Sequence, residues 1–70
     1  MYVIYTKWGY SIHHDGMVSY TRDPRHATKF RTKDEALRRR PGHPYEMGGS
    51  GLHGEALSYM EACRLARVSP

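Results

Sequence analysis

The stretch from Tyr10 to Tyr20 reads YSIHHDGMVSY, two segments with β-branched and aromatic residues on either side of an Asp-Gly pair. Asp-Gly between such segments is a strong short-range signal for a β-hairpin, because glycine accepts the left-handed backbone that a tight turn requires. An antiparallel sheet is therefore the first thing this chain must build. Matching the faces selects the loop length. A two-residue Asp15-Gly16 turn sets Ile12 opposite Ser19 and Ser11 opposite Tyr20, mixing polar with apolar. A three-residue loop, His14-Asp15-Gly16, pairs Ile12 with Val18 and Tyr10 with Tyr20, and this is the predicted register.

The neighbouring segments extend the sheet and add helices. Tyr2 to Tyr5 suits a strand, and Lys7-Trp8-Gly9 a turn into the hairpin. In TRDPRHA, Asp23 can accept from free backbone N–H groups and Pro24 is tolerated at a first helical position, which predicts a helical turn. Lys29-Phe30-Arg31 fits a short strand with Phe30 inward. Thr32 to Glu35 forms a capping box that opens a helix from about Lys33 to Arg40, stopped by Pro41, Gly42 and Pro44. Tyr45-Glu46-Met47 suits a last short strand, and residues 48–51 a glycine-rich connector. From Glu55 to Val68 the spacing of Ala56, Tyr59, Met60, Cys63 and Ala66 marks one helix face. The predicted fold is a single α+β domain over residues 1–70, a small antiparallel sheet with a central hairpin and two helices on one face.

Seventy residues support a core of marginal stability, so a homodimer, or a partner that completes the core, is a reasonable expectation. One cysteine, Cys63, allows no internal disulfide and fits a reducing cytoplasm. MYVIYTKWGY carries only a four-residue apolar run and no cleavage pattern, so neither a secretion signal nor a membrane span is expected.

Gly49 to Gly54 has the spacing G-x-G-x-x-G, but a dinucleotide site needs a ribose-binding acid about 20 residues on; only residues 55–70 follow. No Gly-Lys-Ser/Thr follows the glycines either, and the segment is read as a connector with no nucleotide. His13 and His14 are strand neighbours that point to opposite faces, while His26, His43 and His53 lack ligand spacing, so no metal is expected. Cys63 falls among apolar helix residues, and Asp34 and Glu35 are explained by capping. No catalytic residue, enzyme activity or cofactor is expected.

Charge is unevenly placed. Residues 22–40 hold eight basic residues against three acids, a net +5, and the rest of the chain holds three against four, a net −1. Arg22, Arg25, Lys29, Arg31, Arg38, Arg39 and Arg40, with Trp8, make up the predicted binding surface. The frame from Tyr20 to Ala36, Y-T-x-D-P-x-x-A-x-x-F-x-T-x-x-E-A, resembles a pattern in short proteins carried by bacteriophages and prophages. Together with Y-V-I and the aromatic hairpin it covers about the first 40 residues of the sequence. The resemblance implies a phage-type origin and fold and carries over no catalytic residue. The expected function is an interaction protein that antagonises a host defence system, in the manner of an anti-CRISPR protein, by binding a protein or ribonucleoprotein surface. A small basic DNA- or RNA-binding protein is the alternative. Inhibitors that mimic DNA are acidic; this chain is basic, so it would meet an acidic protein patch or the RNA of a ribonucleoprotein.

Overall fold

The computed structural model describes residues 1–41 and 54–70. Strands β1 (Tyr2–Thr6), β2 (Gly9–His14), β3 (Met17–Thr21) and β4 (Glu55–Ser58) form an antiparallel sheet in the order β3-β2-β1-β4. A 3-10 turn (Pro24–His26) and the helices α1 (Lys33–Arg38) and α2 (Tyr59–Ala66) complete an α+β fold.

The β2–β3 turn corrects the predicted register. It is the two-residue Asp15-Gly16 turn, with Ser11 opposite Tyr20, Ile12 opposite Ser19 and His14 opposite Met17. Asp15 has φ 48° and Gly16 φ 78°, the doubly left-handed backbone of a type I′ turn. Face matching favoured a longer loop because it assumed a buried face on β3. Met17, Val18 and Ser19 are all exposed and only Tyr20 and Thr21 are half-buried, so burial on β3 is too slight to outweigh the Asp-Gly chemistry, which sets the register.

Strands β1 and β2 pair only at Tyr5–Tyr10 and Thr6–Gly9. The Thr6 hydroxyl donates to the Gly9 carbonyl at 2.8 Å and accepts from the Trp8 N–H at 3.1 Å, closing the Lys7-Trp8 turn. Beyond this ladder, Thr28 and Phe30 satisfy backbone groups on β2 and β1. Thr28 N–H donates to Ser11 O at 3.1 Å, and His13 N–H donates to the Thr28 hydroxyl at 2.7 Å. Phe30 and Tyr2 exchange two bonds of 2.7 Å. The predicted strand at Lys29-Phe30-Arg31 is thus a single bridge with Phe30 buried, because Thr28 is already bonded to β2.

Side chains alternate along β1, and this assigns the helices to faces. Val3 packs with Tyr10, Ala27 and Ala62, under α2 and the 3-10 turn. Ile4 packs with Phe30 and Ala36, under α1. The helices therefore lie on opposite faces of the sheet, which corrects the expectation of two helices on one face. Both Val3 and Ile4 are fully buried, and an apolar run in a strand is the mark of burial on both sides.

The helix predicted from Glu55 begins only at Tyr59. Glu55–Ser58 instead pairs with the outer edge of β1, Val3 opposite Leu57 and Ile4 opposite Ala56. Gly54 leads into that strand at φ 114°, and a Cβ there would come within 2.7 Å of Ile4 Cγ2. The Ser58 hydroxyl then accepts the Glu61 N–H at 3.1 Å and starts α2. Ala62 and Cys63 are its buried residues. Met60, expected on the apolar stripe, is 65% exposed, and Ala56 belongs to β4.

The Thr32 hydroxyl accepts the Glu35 N–H at 3.1 Å, as the capping sequence predicts. Helix α1 stops at Arg38, short of the expected Arg40, since Pro41 disfavours helical backbone in the residue before it. The predicted strand at Tyr45-Glu46-Met47 and the connector at 48–51 lie outside the described residues.

Candidate interaction groove

Helix α2 covers the Val3 end of its sheet face and leaves the Tyr5 end open. A groove of about 520 Å³ lies there. Tyr5 and Tyr10 form its floor, opposed in the β1–β2 ladder with ring centroids 5.0 Å apart and planes tilted by 53°. Burial pushes the Tyr10 phenol above its ordinary pKa. Trp8, held at the tip of the β1–β2 turn and 41% exposed, lies beside them. Its ring has Lys7 Nζ at 4.8 Å from the centroid and the Tyr20 ring at 5.4 Å. Leu57 from β4 and Leu65 and Ala66 from α2 supply an aliphatic wall, with Leu65 61% exposed. Arg22, just past β3, completes the lining.

Of the predicted binding residues, the fold brings Trp8 and Arg22 together in this groove. Arg25 is gripped by Asp23, with Nε 3.0 Å from Oδ1 and Nη2 2.8 Å from Oδ2. Lys29 Nζ donates to Arg25 O at 2.9 Å and to Ala27 O at 3.3 Å, and stands 4.8 Å from the Tyr59 ring centroid. Lys29 thus braces the 3-10 turn against α2, while Arg25 is held within the turn. Arg31 is exposed between Phe30 and α1. Arg38 ends α1, and Arg39 and Arg40 follow it, on the other side of the sheet. Arg38 is 3.7 Å from Asp34, and Arg40 Nε donates to Leu37 O at 3.1 Å. Burial, and then the charge of Arg39, lower the pKa of His13.

Tyr5, Lys7, Tyr10, Leu57 and Leu65 line the groove although nothing in the sequence marks them as binding residues. One signal of their placement is present: a two-residue turn at Lys7-Trp8 places Tyr5 opposite Tyr10. Leu65 is legible only as a large apolar residue off the helix stripe.

The neighbouring histidines diverge. His13 Nε2 is 3.0 Å from the buried Ser11 hydroxyl and its ring stands edge-on to Phe30, whereas His14 reaches Asp15 at 3.3 Å. No group of three metal-ligating side chains gathers among the described residues. Cys63 is buried, and a hydrogen bond with it is the main cause that raises the Tyr59 phenol pKa. No helix among the described residues is long and apolar enough to cross a membrane. Compared with protein families, curated proteins and solved structures, the chain matches none of them.

Proposed function

We propose that this chain is a small interaction protein, acting without catalysis or cofactor, that seats its Trp8 groove on a larger protein or ribonucleoprotein. The observation that carries the reading is the convergence of partly exposed Tyr5, Trp8 and Leu65 with Arg22 around one concavity. Aromatic and arginine side chains in a pocket are the residue types that dominate binding energy at interfaces. The phage-like frame from Tyr20 to Ala36 supports placing it, within this class, among cytoplasmic antagonists of a host defence system, anti-CRISPR-like in action. The exposed Arg31, Arg38 and Arg39 favour the second reading, a DNA- or RNA-binding protein that tracks phosphates along the α1 side.

Capture from bacterial lysate, with and without nuclease, separates the two. The expected result is one protein partner that survives nuclease, is lost with Trp8→Ala and is kept with the double change Arg38→Glu and Arg39→Glu. A partner indifferent to Trp8→Ala rejects the groove. Capture abolished by nuclease and by the arginine reversal establishes the nucleic-acid reading instead.

A further inference from the structure

The groove's charge and shape define the chemistry of its occupant. Lys7 and Arg22 line it, and among the described residues its lining contains no carboxylate. Asp23, next to Arg22 in the chain, is committed to Arg25, and the Arg64 guanidinium is likewise held by Glu61. Glu55, opposite Tyr5 in the β1–β4 ladder, shares that sheet face but is not part of the lining, so the concavity itself carries the two cations Lys7 and Arg22 beside an aliphatic wall of Leu57, Leu65 and Ala66.

The rings form no parallel platform for successive bases. Tyr5 and Tyr10 are tilted by 53°, and Trp8 is already engaged by Lys7 and by Tyr20 at a tilt of 46°. Successive bases bind best to open ring faces. An aliphatic wall next to tilted rings suits a branched or aromatic side chain instead.

We propose that the groove binds an acidic protein segment, which inserts one bulky apolar side chain into the cavity while flanking carboxylates meet Lys7 and Arg22. This rests on the groove being the contact surface and adds the partner's chemistry. Arginine presents a planar fork that a carboxylate can engage through two hydrogen bonds. Burying the apolar side chain against Leu65 and the rings removes both surfaces from water and excludes water from around the charges.

The test is titration of the isotope-labelled protein with a short synthetic peptide of Asp and Glu residues around one central Phe. The comparison ligands are the same peptide with Ser at its centre, its Lys/Arg counterpart, and single-stranded oligo-dT. Saturable NMR shifts confined to Tyr5, the Trp8 indole, Tyr10 and Leu65 are expected with the acidic Phe peptide. Central Ser, and separately the exposed pair Lys7→Gln with Arg22→Gln, should each weaken binding by about tenfold or more. Binding should also weaken as salt is added. No saturable shift at millimolar acidic peptide, shifts centred on Arg38 to Arg40, equal binding of the basic peptide, or tighter binding of oligo-dT in the groove overturns the proposal. If the lysate partner depends on Trp8 while acidic peptides fail, the groove stands and the acidic segment is rejected. A lysate partner that ignores Trp8→Ala rejects the groove reading itself, whatever the peptides do.

Discussion

Asp23 closes the 3-10 turn with one carboxylate, accepting the Arg25 N–H at 2.9 Å while gripping the same residue's guanidinium. The side-chain bond, followed by the backbone bond, holds its pKa down from 3.8 to about 2. The folded state therefore binds this proton less readily than the unfolded chain. Its contribution to stability is present above 3.8 and is lost as pH falls through about 2. His13 is depressed below 6.5 by burial and then by Arg39, so the unfolded chain is again the better proton acceptor. Stability should decline as pH falls below 6.5, and the decline should end once the folded histidine is also protonated. Urea midpoints followed from neutral to strongly acidic pH should thus fall in two steps, the first flattened by His13→Asn and the second by Asp23→Asn. A wild-type midpoint that does not change between neutral pH and the carboxylate range removes the role assigned to His13.

At the scale of elements, local chemistry and tertiary context divide the work at Ser58. Periodicity predicts a helix from Glu55 to Val68, and Ala56 and Leu57 are helix formers by propensity, a preference that tertiary pairing overrides. The open edge of β1 claims them, and the Ser58 cap fixes where the strand yields to α2. Ser58→Ala should cost about 1 kcal/mol, the usual loss for an N-cap. Denaturant titration measures the loss, and unchanged cross-strand contacts between Val3 and Leu57 should show that β4 stays in place. The same division explains what the sequence reveals. The turn at Asp23-Pro24 and the start of α1 at Thr32 are legible because each depends on hydrogen bonds within a few residues, and the α+β class because strand-type and helix-type segments both stand in the sequence. The hairpin register differs because pairing Ile12 with Val18 and Tyr10 with Tyr20 supposes a buried apolar face on β3, whereas Val18 lies at an exposed edge. Trp8 and Arg22 could be named as surface residues from composition and charge. Their convergence with Tyr5, Tyr10 and Leu65 could not, because it depends on how far α2 extends across the sheet. The distance in space between the groove and Arg38 to Arg40 depends on β1 being buried on both faces.

For the whole molecule, that double burial makes β1 the point at which two small cores meet. Val3, Tyr10, Ala27 and Ala62 lie on one side, and Ile4, Phe30 and Ala36 on the other. Neither cluster is large enough to support a helix without the shared strand. Ile4 is fully buried between α1 and the chain around Gly54, where a Cβ on the glycine would meet its Cγ2. Ile4→Ala should leave a cavity there and cost about 2–5 kcal/mol. A single small core rarely supplies more than about 3–5 kcal/mol, so the variant should lose most of its stability and unfold at far lower urea than the wild type. Val18→Ala, at the exposed edge of β3, should by contrast stay close to the wild-type stability. Circular dichroism and Trp8 fluorescence during urea titration would report both outcomes. Amide exchange in the folded protein carries the architectural part of the prediction: because β1 holds both helices, α1 and α2 should lose protection together. If Ile4→Ala frees α1 alone while α2 keeps its protection, the two faces are independent and the shared-strand account is wrong.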